Sequence, residues 1–150
     1  MYDARFSPDG RWLAARDKDQ TIHIWEAEAG KKTASLQTQP KPEQPLIFTF
    51  SPDGKCLLTG SYDTHTAVLW EARTGIRLAE LGGGDGLIRT LHFAPDGKRV
   101  IVGSVWGPAR LYATDVCGSA KDLLDLAERR VPRQLTNGER EKYQIPPRRR

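Results

Sequence analysis

The strongest constraint on this chain is that it repeats itself. Phe6-Ser7-Pro8-Asp9-Gly10 returns as Phe50-Ser51-Pro52-Asp53-Gly54 and again as Phe93-Ala94-Pro95-Asp96-Gly97, at offsets of 44 and 43 residues. A period in this range signals a repeat architecture, in which one supersecondary unit stacks on copies of itself. After each Asp-Gly comes a short apolar run: Trp12-Leu13-Ala14-Ala15, Cys56-Leu57-Leu58, Val100-Ile101-Val102. A second run ends in an aromatic residue: Ile22-His23-Ile24-Trp25, Ala67-Val68-Leu69-Trp70, Arg110-Leu111-Tyr112. The first two units continue through Ala29-Gly30 and Thr74-Gly75 into a further run, Thr33–Leu36 and Arg77–Leu81.

The unit is built from strands and turns. In Pro-Asp-Gly, Pro presets φ, Asp bonds its own backbone and Gly supplies a positive φ, which together make a tight hairpin. The runs are short and rich in Val, Ile, Leu and Trp, as strands are. Several are apolar at consecutive positions, so both faces of the sheets must be covered. Small antiparallel sheets covered on both sides are the blades of a β-propeller. The expectation is an all-β partial propeller of about three antiparallel blades with 4+4+3 strands, at about 2–37, 46–82 and 87–115. Eleven strands are too few for a ring of four or more four-stranded blades. The missing blades are therefore expected from a longer chain, of which this would be the C-terminal piece, or from self-association.

The unit resembles the WD repeat, whose signature runs F-S-P-D-G, L-A-S-G-S-x-D-G, a strand closing in W-D, then x-x-T-G. Leu58-Thr59-Gly60-Ser61-Tyr62-Asp63, Leu69-Trp70-Glu71 and Thr74-Gly75 follow it closely, and the first unit follows it through Asp19–Glu26. The third keeps the hairpin and Gly103-Ser104 but has Trp106 at the turn Asp position and Tyr112 for the Trp. A second propeller family repeats only the hairpin, as in hydrolase-linked propellers. The strand-ending Trp and the Thr-Gly turn favour the WD repeat. The resemblance implies structural roles for Asp19, Trp25, Thr59, Asp63, Trp70 and Tyr112, with both Trp packed between sheets. It places Lys18, Tyr62, Val105 and Trp106 at the positions that face partners. The family's Gly-His pair falls on Pro40-Lys41 and Gly83-Gly84, so its His is absent and these blades are expected to lean on packing.

Residues 116–150 change character. Ser119 can cap a helix through Arg130, and Thr136-Asn137-Gly138-Glu139 is a capping box for a second, through about Tyr143. This helical, basic extension resembles the end of bacterial multidomain WD-repeat proteins, which often carry a signalling ATPase, kinase or protease domain upstream. The 14 basic and 14 acidic residues of 1–117 cancel, so the whole excess of +4 lies in the tail. A neutral body argues against a nucleic-acid groove.

Other chemistry finds little support. Gly82-Gly83-Gly84-Asp85-Gly86 lacks the Lys-Ser/Thr of a phosphate loop and sits between strands. His23, His65 and His92 have no metal-ligand spacing, and two cysteines make neither a disulfide framework nor a four-ligand zinc site. No Ser-His-Asp arrangement is evident, no apolar run is long enough to span a bilayer, and the first residues do not read as a secretion signal. The sequence therefore reads as a cytoplasmic, non-catalytic protein-interaction scaffold without a cofactor. The alternative is the sensor end of a signalling ATPase, kinase or protease whose catalytic domain lies elsewhere.

Overall fold

The computed structural model describes residues 3–38, 46–62, 65–82 and 86–114. The expected tail helices, the turn residue Asp63 and the Pro40-Lys41 and Gly83-Gly84 pairs lie outside these residues. Among the described residues eleven strands fall into three antiparallel sheets. The first holds β1 (Asp3–Phe6), β2 (Trp12–Arg16), β3 (Ile22–Glu26) and β4 (Lys31–Leu36), in that order. The second holds β5 (Leu46–Phe50), β6 (Cys56–Ser61), β7 (Thr66–Glu71) and β8 (Arg77–Gly82). The third holds β9 (Ile88–Phe93), β10 (Arg99–Ser104) and β11 (Arg110–Ala113). The expected 4+4+3 division is the one observed, and every strand pairs with its sequence neighbour, as short hairpin connections require.

The hairpin pentapeptide turns each first strand into the second. Gly10, Gly54 and Gly97 have φ of 74°, 69° and 67°, the left-handed region that a side chain would strain. Asp9, Asp53 and Asp96 each accept the N–H two residues on, at 3.1, 3.1 and 3.0 Å. In the first two units a buried Ser adds a second clasp. Ser51 Oγ donates to Asp53 Oδ1 at 2.6 Å and accepts Cys56 N–H at 2.9 Å, and Ser7 repeats both bonds with Asp9 and Trp12. Ala94 removes them from the third.

Packing alternates along the strands because side chains alternate across a sheet. One apolar cluster joins Ala14, Ile22, Ile24, Ala34 and Leu36 of the first blade to Leu46, Phe48, Phe50, Leu57 and Trp70 of the second. A separate cluster joins Cys56, Leu58, Ala67, Leu69 and Leu81 of the second to Ile88, Leu91, Val100 and Val102 of the third. Among the described residues only the middle blade has a sheet on both faces, and β6 is buried at all six positions. Arg5 lies over the Phe48 ring, 5.6 Å from its centroid, and Tyr112 donates a hydrogen bond to the Gly82 carbonyl, so polar contacts also join successive blades. Cys56 is disulfide-bonded, which the count of two cysteines had left without a role.

One sequence expectation fails for a physical reason. Trp25 and Trp70 occupy the same repeat position, and in both blades the register slips by one residue just before the Trp. Trp70 is buried against the first blade, whereas Trp25 is only half-buried. Its face of the first blade has no sheet in front of it among the described residues. Trp25 meets the His23 ring edge-on instead, with centroids 5.6 Å apart.

Candidate functional site

The Pro-Asp-Gly turns stack at one end of the blades: a Cβ on Gly54 would strike the Asp9 carboxylate at 2.8 Å, and one on Gly97 would meet Pro52 at 3.7 Å. The connections β2–β3, β6–β7 and β10–β11 therefore emerge at the opposite end. Lys18, Tyr62, Val105 and Trp106 all stand on them. Lys18 is exposed on the first connection and bonds to none of the others among the described residues. Tyr62 is half-buried. Trp106 is 81% exposed and Val105 beside it 40%, so the turn that departs most from the repeat displays the largest free aromatic surface. Val105 N–H donates to the Leu87 carbonyl at 3.0 Å, which holds this turn against the start of β9.

The residue that sequence reading missed is Arg89. It follows Ile88 on β9, is exposed, and sets its guanidinium 5.5 Å from the Tyr62 ring centroid. The pair bridges the second and third blades, and a cation over a ring is worth about 0.5–1 kcal/mol at such a site. No motif marks Arg89; only the stacking of β9 beside the second blade brings it to Tyr62. This end of the molecule thus presents a cation, two aromatic rings and an aliphatic group, a set suited to gripping a peptide with acidic or apolar side chains.

The structural residues separate in the same way. Trp70 Nε1 donates to Thr59 Oγ1 at 2.9 Å inside the interface between the first two blades. Ala15 and Val102 stand at the Thr59 position of the other blades and offer no hydroxyl. In the first blade the turn is organised by Asp17, not Asp19. Asp17 Oδ1 accepts the Asp19 and Thr21 N–H groups, each at 2.9 Å, while the Asp19 side chain is exposed and unbonded among the described residues. Tyr112 is half-buried against the second cluster.

The fold also corrects the reading that no Ser-His-Asp arrangement is present. Cross-strand pairing sets His23 beside Ser35, and the imidazole bridges Ser35 Oγ through Nδ1 and Asp17 Oδ2 through Nε2, both at 2.9 Å. Burial alone would raise the Asp17 carboxyl. The hydrogen bonds from His23 and the two backbone N–H groups outweigh it and hold the group below its ordinary value. Acyl transfer needs, besides these three groups, oxyanion donors and a recess for substrate. Ser35 is exposed in mid-strand on β4 and lines neither the cleft between the first two blades nor the one between the hairpin turns of the second and third. The trio ties the turn to β3 and β4. Among the described residues no cluster of His, Cys, Asp and Glu could hold a metal, and no helix is long and apolar enough to cross a membrane.

Comparison with known proteins supplies the family. The model for the WD domain, G-beta repeat, matches residues 1–26 and 42–70, which are the first blade through its Trp and the second through its own. The chain belongs to the WD-repeat family. It is 30% identical over 127 residues to the WD repeat-containing protein 26 homolog of Drosophila melanogaster, covering 81% of this chain and 20% of that protein. It is 34% identical over 103 residues to an uncharacterized WD repeat-containing protein of Synechocystis sp., covering 69% and 29%. It is 31% identical over 105 residues to guanine nucleotide-binding protein subunit beta-1 of Nicotiana tabacum, covering 67% and 28%. The WD-repeat chain thus spans less than a third of the length of these curated relatives.

Proposed function

We propose that this chain is a non-catalytic protein-interaction scaffold, a set of WD blades that works as part of a larger propeller and grips its partner with Tyr62, Arg89, Val105 and Trp106. WD-repeat proteins generally act as scaffolds for protein–protein interaction, and the observation that carries the reading to these residues is the display of Trp106 at the end where Arg89 stacks on Tyr62. A rigid sheet stack supplies positioned side chains and no moving or reacting part, which is what binding without chemistry requires. The blades that complete the propeller come from a longer polypeptide or from another copy. The cytoplasmic setting belongs to the same proposal. The disulfide at buried Cys56 counts against that setting, since cytosolic thiols are ordinarily kept reduced.

The test is capture of partners from an extract of the source cells by immobilised wild type and by the Tyr62→Ala/Trp106→Ala variant, with identification by mass spectrometry. Proteins captured by wild type and lost by a variant of unchanged circular dichroism support the proposal. A variant that retains every specific partner refutes the assignment of this surface.

A further inference from the structure

The last strands of the first two blades hold one repeat position with different chemistry. Ser35 of β4 stands opposite His23, and Glu80 of β8 stands opposite Val68. Three residues earlier Lys32 and Arg77 stand opposite Trp25 and Trp70, beyond the same slip in register. Ser35 and Glu80 are therefore equivalents, as are Lys32 and Arg77. In the second blade the Glu80 carboxylate pairs with the Arg77 guanidinium. The first blade has the cation, a further one in Lys31, and a hydroxyl in the place of the anion. Ser35 is the one exposed serine among the described residues. A preceding blade would not cover it. Val68 packs on the first blade's apolar cluster, yet the Glu80 side chain opposite it stays 51% exposed. β4 is also an edge strand of its sheet.

We propose that Ser35 is a phosphorylation site for a serine/threonine protein kinase that selects cations ahead of its acceptor. Such a kinase reads the charge pattern around the hydroxyl it modifies. β4 presents Lys31-Lys32-Thr33-Ala34-Ser35 already extended, with exposed cations four and three residues before the hydroxyl. The exposed threonines Thr74 and Thr90 have no cation at either distance. In the transfer, Ser35 Oγ bonds to the γ-phosphorus of ATP and the bond from that phosphorus to the β–γ bridging oxygen breaks. ADP leaves, and the hydroxyl proton passes to the kinase's catalytic carboxylate. The product finds partners in place. Phosphoserine carries a charge of about −1.5 to −2 at pH 7 and three acceptor oxygens. His23 Nδ1 lies 2.9 Å from Ser35 Oγ and its Nε2 lies 2.9 Å from Asp17 Oδ2. A protonated His23 ring thus donates to the phosphate and to Asp17 at once, as charge-assisted hydrogen bonds favour. Lys32 supplies to the phosphate what Arg77 supplies to Glu80.

The test incubates the folded full chain with ATP, Mg²⁺ and the catalytic subunit of cyclic-AMP-dependent protein kinase, an enzyme with this preference. Tandem mass spectrometry then locates the phosphate, so transfer to any other hydroxyl is read separately. Phosphate is expected on Ser35 in the wild type. Incorporation at Ser35 should be at least about tenfold slower in Lys31→Gln/Lys32→Gln. A non-specific phosphatase should strip the phosphate severalfold faster from His23→Gln than from wild type, because the ring no longer holds it. Circular dichroism verifies that each variant keeps its sheets; if Gln disturbs the first blade, His23→Asn serves instead. A folded wild type that takes no phosphate at Ser35 overturns the proposal, as does incorporation at the same rate without the two lysines. Equal stripping from wild type and from the His23 variant overturns the part assigned to His23.

Discussion

Replacing Ser51 by Ala should expose how much the hairpin clasp contributes, because the chain carries its own control in Ala94. Ser51 is buried, and its hydroxyl holds both the Asp53 carboxylate and the Cys56 N–H. The substitution leaves that backbone N–H buried without a partner, which costs about 1–3 kcal/mol. A hydrogen bond to a charged acceptor adds up to about 1.5–3 kcal/mol in a dry setting. The Asp53 side chain is 48% exposed and recovers most of that from water, so the lower part of the range applies. The expected loss is about 2 kcal/mol, or a fall in Tm of roughly 8–16 °C for a domain near 100 residues. The reciprocal change, Ala94→Ser, offers the same two bonds to Asp96 and to the backbone and should stabilise by about 0.5–1.5 kcal/mol. Urea unfolding followed by Trp fluorescence reads both. A loss below about 0.5 kcal/mol in Ser51→Ala, with Ala94→Ser neutral, would refute the claim that the hydroxyl locks the turn.

Four further outcomes follow from the same contacts. Trp70→Ala should cost about 3–5 kcal/mol and Trp25→Ala less than half of that, because among the described residues only Trp70 has a blade in front of it; equal losses in urea titrations would contradict the stacking order. Gly75→Ala should destabilise by more than about 1 kcal/mol, since φ is 71° and the new Cβ would sit 2.8 Å from Ala34 Cβ; an unchanged Tm would refute that close approach. Asp9, through its bond from Ser7, and Asp17, through its bonds from His23 and the backbone, both have carboxyls lowered below the ordinary 3.8. A lowered carboxyl stabilises fully above its unfolded value and loses that contribution as pH falls through the folded value. Stability should therefore be insensitive to these groups near neutrality and decline below about 4, with a shallower decline in Asp17→Asn; an identical acid limb in the variant would refute the assignment. Arg89→Ala should weaken partner capture while lowering stability by no more than about 0.5–1 kcal/mol, the worth of its stacking on Tyr62, and unaltered capture would remove Arg89 from the site.

The fold was legible because its determinants are local and repeated. Pro-Asp-Gly dictates a turn wherever it stands, and consecutive apolar residues such as Cys56-Leu57-Leu58 demand a sheet with two covered faces. What the repeat could not convey is that its copies are unequal by position in the stack: Trp25 and Trp70 look identical in sequence and differ because one has a neighbouring blade. The candidate site divides along the same line. Tyr62 and Trp106 follow from register within a blade, but Arg89 meets Tyr62 only through the packing of β9 on the second sheet. His23, Ser35 and Asp17 escaped for a related reason, since they lie on two strands and a turn and are brought together by cross-strand pairing.

The central claim, that three WD blades stack face to face through two interfaces, is tested most directly by nuclear Overhauser contacts at two glycines. The structure places the side of Gly60 against Ile88 Cγ2 and Leu91 Cδ1, each 3.0 Å from where its Cβ would be, and the side of Gly75 against the Ala34 methyl and Leu36 Cδ2. One isotope-edited spectrum should show Gly60 Hα cross-peaks to the Ile88 and Leu91 methyls and Gly75 Hα cross-peaks to those of Ala34 and Leu36. Intact cross-strand signals within each sheet, with both sets of inter-blade cross-peaks missing, would mean that the sheets form without stacking and would contradict the account.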